Sequence, residues 1–340
     1  MAEQAENKQL TIFIIGAGHG VGLSAVSLAS RAGHTVVGTS ELGSVGAYRI
    51  RRAGGIPIYP DLTRESAIYS ALQMGKADVI INAAPQALSG LPQADTDYDA
   101  LLPWLVDSTE AIMAAAGRAD IDRIIHISSA SVYGDTHHEA VKEDSHLDLS
   151  SPLAKALYQA EEAVFDGGIP GYVLRTGYIL GTHDSYSTVA DQLRTGKSLP
   201  SGEKPTAWAY EEDVARAALI IAEKESDEDV AQVYNIASDE VVSPDDVMEK
   251  FANAYGTGRP MPLSGFMAQF RVNDIQRNLL NTSTLLDTSK AREELNWSPN
   301  GSIDLALDKM LLLWHSEEAE VTVYHQDDSN TNTSMEIIEA

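Results

Sequence analysis

The chain has 340 residues, 44% of them apolar and 22% charged, and it contains no cysteine. Fifty acidic residues against 24 lysines and arginines give a formal net charge of −26. This composition is ordinary for a globular protein with a large core, excludes disulfides, thiolate zinc sites and a cysteine nucleophile, and argues against a nucleic-acid partner, whose phosphates the acidic surface would repel. A source with a high-salt interior fits the excess, although the acids cluster partly at Glu223 to Asp229 and in the last 24 residues.

Residues 1–9 are polar and read as a disordered tail, neither a secretory signal nor a transit peptide. No apolar run approaches the ~18 residues needed to cross a bilayer. No membrane partner is therefore expected, and the cytoplasm is the default location.

Thr11 to Ile15 is an apolar run that ends in Gly16-Ala17-Gly18-His19-Gly20-Val21-Gly22, and Leu23 to Ala32 reads as a helix. A buried parallel strand, a glycine-rich turn and a helix N-terminus together suit a pyrophosphate. Gly16 and Gly18 meet the start of G-x-G-x-x-G, but Val21 fills its third glycine position; read as G-x-x-G-x-x-G, the turn has His19 in the middle slot. A methyltransferase turn would carry an acid where Ile14 and Ile15 stand, and the G-K-[ST] of a P-loop is absent. The plain alternative is a glycine-rich turn in some other doubly wound protein.

Strands are expected at His34–Thr39, Ile56–Tyr59 and Ala77–Ala83, with helices at Val45–Ala53 and Glu65–Met74 between them. Tyr98–Gly117 reads as a long helix that tolerates Pro103 in its early turns, and Asp122–Ser128 as a fifth strand. After a polar loop from Asp135 to Ser150 come a helix from Pro152 to Phe165 and a strand from Gly171 to Arg175. Val214–Ala222 is expected to be helical, Ala231–Ile236 a strand, and Ser243 an N-cap with Pro244 opening a helix to Tyr255. Residues 258–283 read as irregular, 303–315 as a last helix and 317–340 as an acidic tail. Truncation after Ser316 is expected to leave the melting temperature almost unchanged. Strands alternating with helices predict an α/β fold, a doubly wound parallel sheet with ligands at the carboxyl ends of its strands.

Several landmarks in this order resemble the extended short-chain dehydrogenase/reductase family, the NAD-dependent epimerase/dehydratase group, over roughly residues 10–315. They are the glycine turn, Asp61-Leu62, Asn82-Ala83-Ala84, Ser128-Ser129-Ala130-Ser131-Val132-Tyr133-Gly134, and Leu174-Arg175-Thr176-Gly177-Tyr178-Ile179-Leu180-Gly181. Glu212-Asp213-Val214-Ala215-Arg216-Ala217, Val233-Tyr234-Asn235-Ile236 and the run from Asp287 to Pro299 extend the likeness. The resemblance implies a Rossmann domain over 10–175 and a mainly substrate-binding domain over 176–315, with 205–238 returning to the first. It implies NAD or NADP bound by Gly16, Gly18, His19, Gly20, Val21, Gly22, Ser40, Glu41, Asp61, Leu62, Ala83, Ala84, Lys155 and Thr176. NAD is favoured, since the Glu41 carboxylate would repel a 2′-phosphate, although Arg49, Arg51 and Arg52 stand near in sequence.

The chain departs from the family at His19 and again at the Y-x-x-x-K pair. That pair is expected at Ser151-Pro152-Leu153-Ala154-Lys155, with the lysine present and the tyrosine replaced by serine. In the family the tyrosine phenol exchanges a proton while nicotinamide exchanges hydride. An aliphatic hydroxyl titrates far above a phenol, so Ser151 is a poor substitute. Ser129, Lys155, Ser151 and Tyr158 are the catalytic candidates, Tyr158 lying one turn beyond Lys155. Ser129, Ser131, Tyr133, His183 and Trp208 are the substrate candidates, and no metal site is expected. Core packing is the bland alternative for Tyr158, Trp208 and His126. The leading expectation is an epimerase/dehydratase-like oxidoreductase acting on a small polar metabolite, a nucleotide sugar by resemblance. The alternative is a dinucleotide-binding redox sensor or assembly partner with reduced catalysis. A homodimer through the Tyr98–Gly117 and Pro152–Phe165 helices is implied by resemblance alone.

Overall fold

The computed structural model describes residues 8–89, 96–181, 202–225, 231–256 and 273–312. His183, the acidic tail, residues 1–7 and most of the 258–283 stretch lie outside them. Seven parallel strands form the central sheet: β1 (Thr11–Ile15), β2 (Thr35–Thr39), β3 (Ile56–Ile58), β4 (Val79–Asn82), β5 (Arg123–Ser129), β7 (Gly171–Thr176) and β10 (Ala231–Ile236). Their order is β3-β2-β1-β4-β5-β7-β10, so the chain reverses direction across the sheet between β1 and β4. The carboxyl ends of those two strands open a crevice, the usual ligand position in a doubly wound sheet. The fold is Rossmann-type.

The strand residues explain the layering. Ile12 and Ile14 face the helices α1 (Gly20–Arg31) and α6 (Glu211–Glu223), while Phe13 and Ile15 face α3 (Glu65–Gly75) and α4 (Tyr98–Arg118). Period-two alternation thus puts apolar side chains on both faces of a sheet covered on both sides. Helix α5 (Pro152–Phe165) packs beside α4, and α2 (Val45–Arg52) lies between β2 and β3.

A smaller antiparallel and parallel sheet joins β8 (Tyr178–Leu180), β9 (Thr206–Tyr210) and β11 (Val241–Val242), in the order β11-β9-β8. Helix α7 (Pro244–Tyr255) carries a capping box, Ser243 and Asp246 each bonding the other's backbone N–H. The strand β6 (Ala140–Val141), inside what reads from sequence as a polar loop, pairs in parallel with β12 (Leu285–Leu286). The helix at residues 303–312 packs onto Trp208 and Tyr210.

Most strand and helix ends fall within two residues of the sequence expectation, and three larger differences have a physical cause. α1 begins at Gly20, not Leu23, because the glycines themselves supply its first turn. α6 begins at Glu211, three residues before Val214, and its acids Glu211, Glu212 and Asp213 sit where the helix dipole favours them. Asp274–Leu280, inside a stretch expected to be irregular, is helix α8; Asn273 and Gln276 form a capping box that fixes its start.

Candidate functional site

The glycine turn is dictated by steric fit. Gly16 has φ +73, and a Cβ there would lie 2.8 Å from the Ala84 nitrogen. A Cβ on Gly22 would lie 2.1 Å from the Gly16 carbonyl oxygen. His19 explains its own departure from the family: its φ of −159 is extended backbone open to any residue, and the left-handed turn falls on Gly20 at φ +53. His19 is the N-cap position of α1, so the helix starts at the turn.

Above the turn lies a cleft of about 1290 Å³ lined by Gly16, Gly18, His19, Ser40, Glu41, Leu62 and Ala84 among the expected cofactor residues. Gly20, Val21, Gly22 and Ala83 are buried beneath it. Asp61 is exposed and is not a lining residue; its carboxylate accepts hydrogen bonds from the Thr63 hydroxyl (2.7 Å) and backbone (3.0 Å), which hold its pKa below the usual range. The far wall carries Arg49 and Arg52 from α2, with Glu41 beside them in the same lining. Ser40 Oγ lies 2.9 Å from Ser44 Oγ, the N-cap of α2. The glycines whose Cβ atoms would collide with neighbouring backbone leave a cradle that fits a pyrophosphate.

Sequence reasoning passed over Gln86. Its side chain is 1% exposed and reaches into the turn: Val21 N–H donates to Gln86 Oε1 at 2.6 Å. Gln86 Nε2 in turn donates to the carbonyls of Gly16 (3.2 Å) and His19 (3.3 Å). The available signal was a lone amide in the otherwise apolar Ala83–Leu88 stretch just after β4.

A second cavity, about 240 Å³, lies at the ends of β5 and β7. Ser129, Ser131, Ser151, Thr176 and Tyr178 line it together with Asp135 and Asp148. Ser129 Oγ donates to Ser131 Oγ at 3.1 Å and accepts from the Ser131 backbone N–H. The backbone and hydroxyl of Ser150 bond Asp148 and hold its carboxyl below the ordinary value. Burial works against the Asp135 carboxylate, but the Lys204 ammonium 2.5 Å away outweighs it and keeps the pKa low.

The helix beside this cavity is placed differently from the sequence expectation. Ser151 is the N-cap of α5, its hydroxyl accepting the Ala154 N–H at 3.0 Å. Lys155 is exposed and lines neither the cavity nor the cleft. The α5 side chain that meets the cavity beside the capping Ser151 is Leu153, and Leu157, one turn on, is fully buried in the same apolar cluster. A shift of two residues turns a helix by ~200°, so Ser151 and Lys155 read as a Y-x-x-x-K pair put the lysine on the outer face. Tyr158 is half-buried against that cluster and does not line the cavity.

Two substrate candidates are also displaced. Trp208 is 1% exposed; it packs in the core under the smaller sheet and donates its indole N–H to the Val242 carbonyl. The Tyr133 hydroxyl points away from the cavity, donating to Asn235 Oδ1 (2.8 Å) and accepting from Arg175 (3.0 Å). Burial pushes its pKa up. It belongs to a buried network in which Glu161 accepts from Ser128 (2.5 Å) and Arg175 (2.7 Å). His126, inside β5, is fully buried, and desolvation lowers its pKa to about 4, so it stays neutral at physiological pH. Among the described residues no group of His, Asp and Glu could hold a metal ion.

Residues 12–237 match the NAD dependent epimerase/dehydratase family. The low-salt glycan biosynthesis protein Agl12 of Haloferax volcanii is 29% identical over 196 residues, covering 53% of this chain and 60% of that protein. A 4-hydroxy-2-methyl-3-oxo-4-farnesyl-3,4-dihydroquinoline-1-oxide ketoreductase of Stigmatella aurantiaca is 27% identical over 188 residues, covering 52% of this chain and 54% of that enzyme. The chain thus spans little more than half the length of these relatives. A UDP-glucose-4-epimerase from Stenotrophomonas maltophila, solved with NAD and formylated UDP-arabinopyranose, superposes with a TM-score of 0.72 at 18% identity, over 92% of this chain and all of that one. With the glycine cradle, the strand order and the match over two-thirds of its length, this chain belongs to the NAD dependent epimerase/dehydratase family.

Proposed function

We propose that the protein binds NAD along the crevice and a small hydroxyl-rich metabolite of the nucleotide-sugar kind in the smaller cavity, with its tyrosine-type proton transfer reduced. One observation carries the last part: Leu153, not a tyrosine, is the α5 residue facing the cavity beside the capping Ser151. Bound NAD would supply a hydride acceptor. Ser129 and Thr176 would then offer hydroxyls to the substrate side, and the glycine turn would hold the pyrophosphate. The division into a Rossmann unit over 10–175 and a smaller unit over 176–315 belongs to this reading, as do a cytoplasmic location and a homodimer through α4 and α5. Among the described residues, no helix is long and apolar enough to cross a membrane.

Dinucleotide titration tests this reading. NAD should bind more tightly than NADP, because the Glu41 carboxylate lines the cleft and, with the adenosine ribose beside it, would repel a 2′-phosphate. Arg49 and Arg52 line the same wall, so tenfold tighter NADP binding would show that they set the sign instead. Lys155→Ala should leave NAD affinity within about twofold, as a substitution on the outer face usually does; a large loss would return the lysine to the ribose.

A second reading, hydride transfer with a relocated base, is favoured by Asp148, an ionised carboxylate in the same cavity as Ser129. Its low pKa makes it a weak base near neutral pH. Activity of the native protein that disappears in Asp148→Asn would establish it.

A further inference from the structure

The 3₁₀ segment Ala84–Leu88 and the following Ser89 form a strap between the two cavities, which share no lining residue. One end is tied to the glycine turn by the three Gln86 side-chain hydrogen bonds to Val21, Gly16 and His19. At the other end, Ile179 N–H donates to the Ser89 carbonyl at 2.7 Å. Between them Leu88, 4% exposed, packs in the apolar cluster that holds Leu153 and Leu157. The strap is therefore anchored to β1's turn, to β8 and to α5 at once.

Its position follows from the sheet order. The glycine turn ends β1 and Ser129 ends β5, and β4 lies between them. A dinucleotide with its pyrophosphate on the turn and its nicotinamide near Ser129 must cross the end of β4. The strap begins there, two residues beyond Asn82. Gln86 Oε1 also takes a backbone N–H in the first turn of α1, of the kind an anion accepts at a helix start.

We infer that Gln86 and its strap compete with the dinucleotide for the crevice, so that the closed protein admits the adenosine half and the whole dinucleotide enters only when the strap is displaced. This rests on the reading of the crevice as a dinucleotide site. Gln86 is then a specificity-determining residue, setting how far dinucleotide affinity falls below that of an open cleft. When only a fraction of molecules is competent, apparent affinity falls by that fraction.

The experiment compares NAD and adenosine on the native protein and on Gln86→Ala by calorimetry. It also follows the side-chain amide resonance of Gln86 by NMR in the native protein. The variant should bind NAD roughly tenfold more tightly, the effect of removing about one net hydrogen bond's worth of closure, with adenosine affinity unchanged. In the native protein, NAD should move the Gln86 resonance, and adenosine should not. NAD affinity that stays the same or weakens in the variant, or a Gln86 resonance unmoved at saturating NAD, would overturn the strap and leave the dinucleotide reading standing. Failure of native protein and variant to bind either ligand would overturn both. Should Gln86→Ala not fold, the resonance measurement decides alone.

Discussion

Glu161→Ala is expected to destabilise the protein by about 3–5 kcal/mol, the range for removing one partner of a buried ion pair. The Glu161 side chain is fully buried, and that of Arg175 is 4% exposed. The carboxylate accepts from Arg175 at 2.7 and 3.2 Å and from the Ser128 hydroxyl at 2.5 Å. Truncation strands a guanidinium whose remaining partners are the Tyr133 hydroxyl and the Glu143 carbonyl, neither of them charged. In the native protein burial disfavours the charged guanidinium, but Glu161 more than offsets this and raises the Arg175 pKa; without Glu161 that support is lost, yet arginine is intrinsically too basic to escape by losing its proton. Removing both charges, as in Glu161→Leu with Arg175→Met, should cost less than the sum of the single changes, because the pair's attraction only offsets its desolvation. Urea unfolding of the three variants measures this. A loss below about 1 kcal/mol for Glu161→Ala would place the carboxylate in a wet site. The network ties β5, α5 and β7 together just below Ser129, so the same variant should also loosen the smaller cavity.

Much of this architecture was legible in the sequence because the signals were periodic or steric. Apolar runs ending in glycine marked the strand–turn–helix at residues 11–31, and Ser243-Pro244 marked a helix start that the structure reproduces to the residue. Short pairings such as Ala140–Val141 with Leu285–Leu286 had no such signal: two-residue strands joined across more than a hundred residues depend on tertiary contact. The site was harder still. Ser151 and Lys155 have the spacing of a helical i, i+4 pair, but spacing does not say which face of the helix is buried. The clue was in the apolar residues: Leu153, Leu157, Ala160 and Val164 recur at helical intervals and mark the inner face, with Lys155 opposite. Tyr133 and Trp208 lie outside the cavity lining for a related reason, since a large amphipathic ring serves a core as readily as a pocket. For Gln86 the lone amide after β4 was the one signal, and it does not name its partners, which are backbone groups some 65 to 70 residues away.

Whether the proposed hydride-transfer chemistry is reduced or working turns on the same helix face. If Leu153 and Leu157 occupy the inner positions that a tyrosine–lysine pair would need, restoring the pair means Leu153→Tyr with Leu157→Lys, not Ser151→Tyr. Ser151→Tyr should give no hydride transfer and should cost about 1 kcal/mol, because it removes the hydroxyl that caps the Ala154 N–H. Leu153→Tyr puts a phenol at a cavity of about 240 Å³ that also holds Ser129, and the void can take the added volume. Alone, that phenol has no cation to lower its pKa, and burial raises it, so the gain should be small. Adding Leu157→Lys places an ammonium one turn away, which favours the phenolate; general acid–base catalysis of this kind is typically worth ~10²–10⁴-fold. The lysine enters a fully buried position among Leu88, Tyr98 and Leu102, so a drop in melting temperature is expected beside any gain in rate. With UDP-glucose as the probe, NADH formation and sugar epimerisation would be measured for the native chain and all three variants. Activity that rises from Ser151→Tyr but not from the double variant would put the catalytic face where the sequence alone suggested. Strong native turnover left unchanged by Leu153→Tyr would show that this family member moves its proton without the helix.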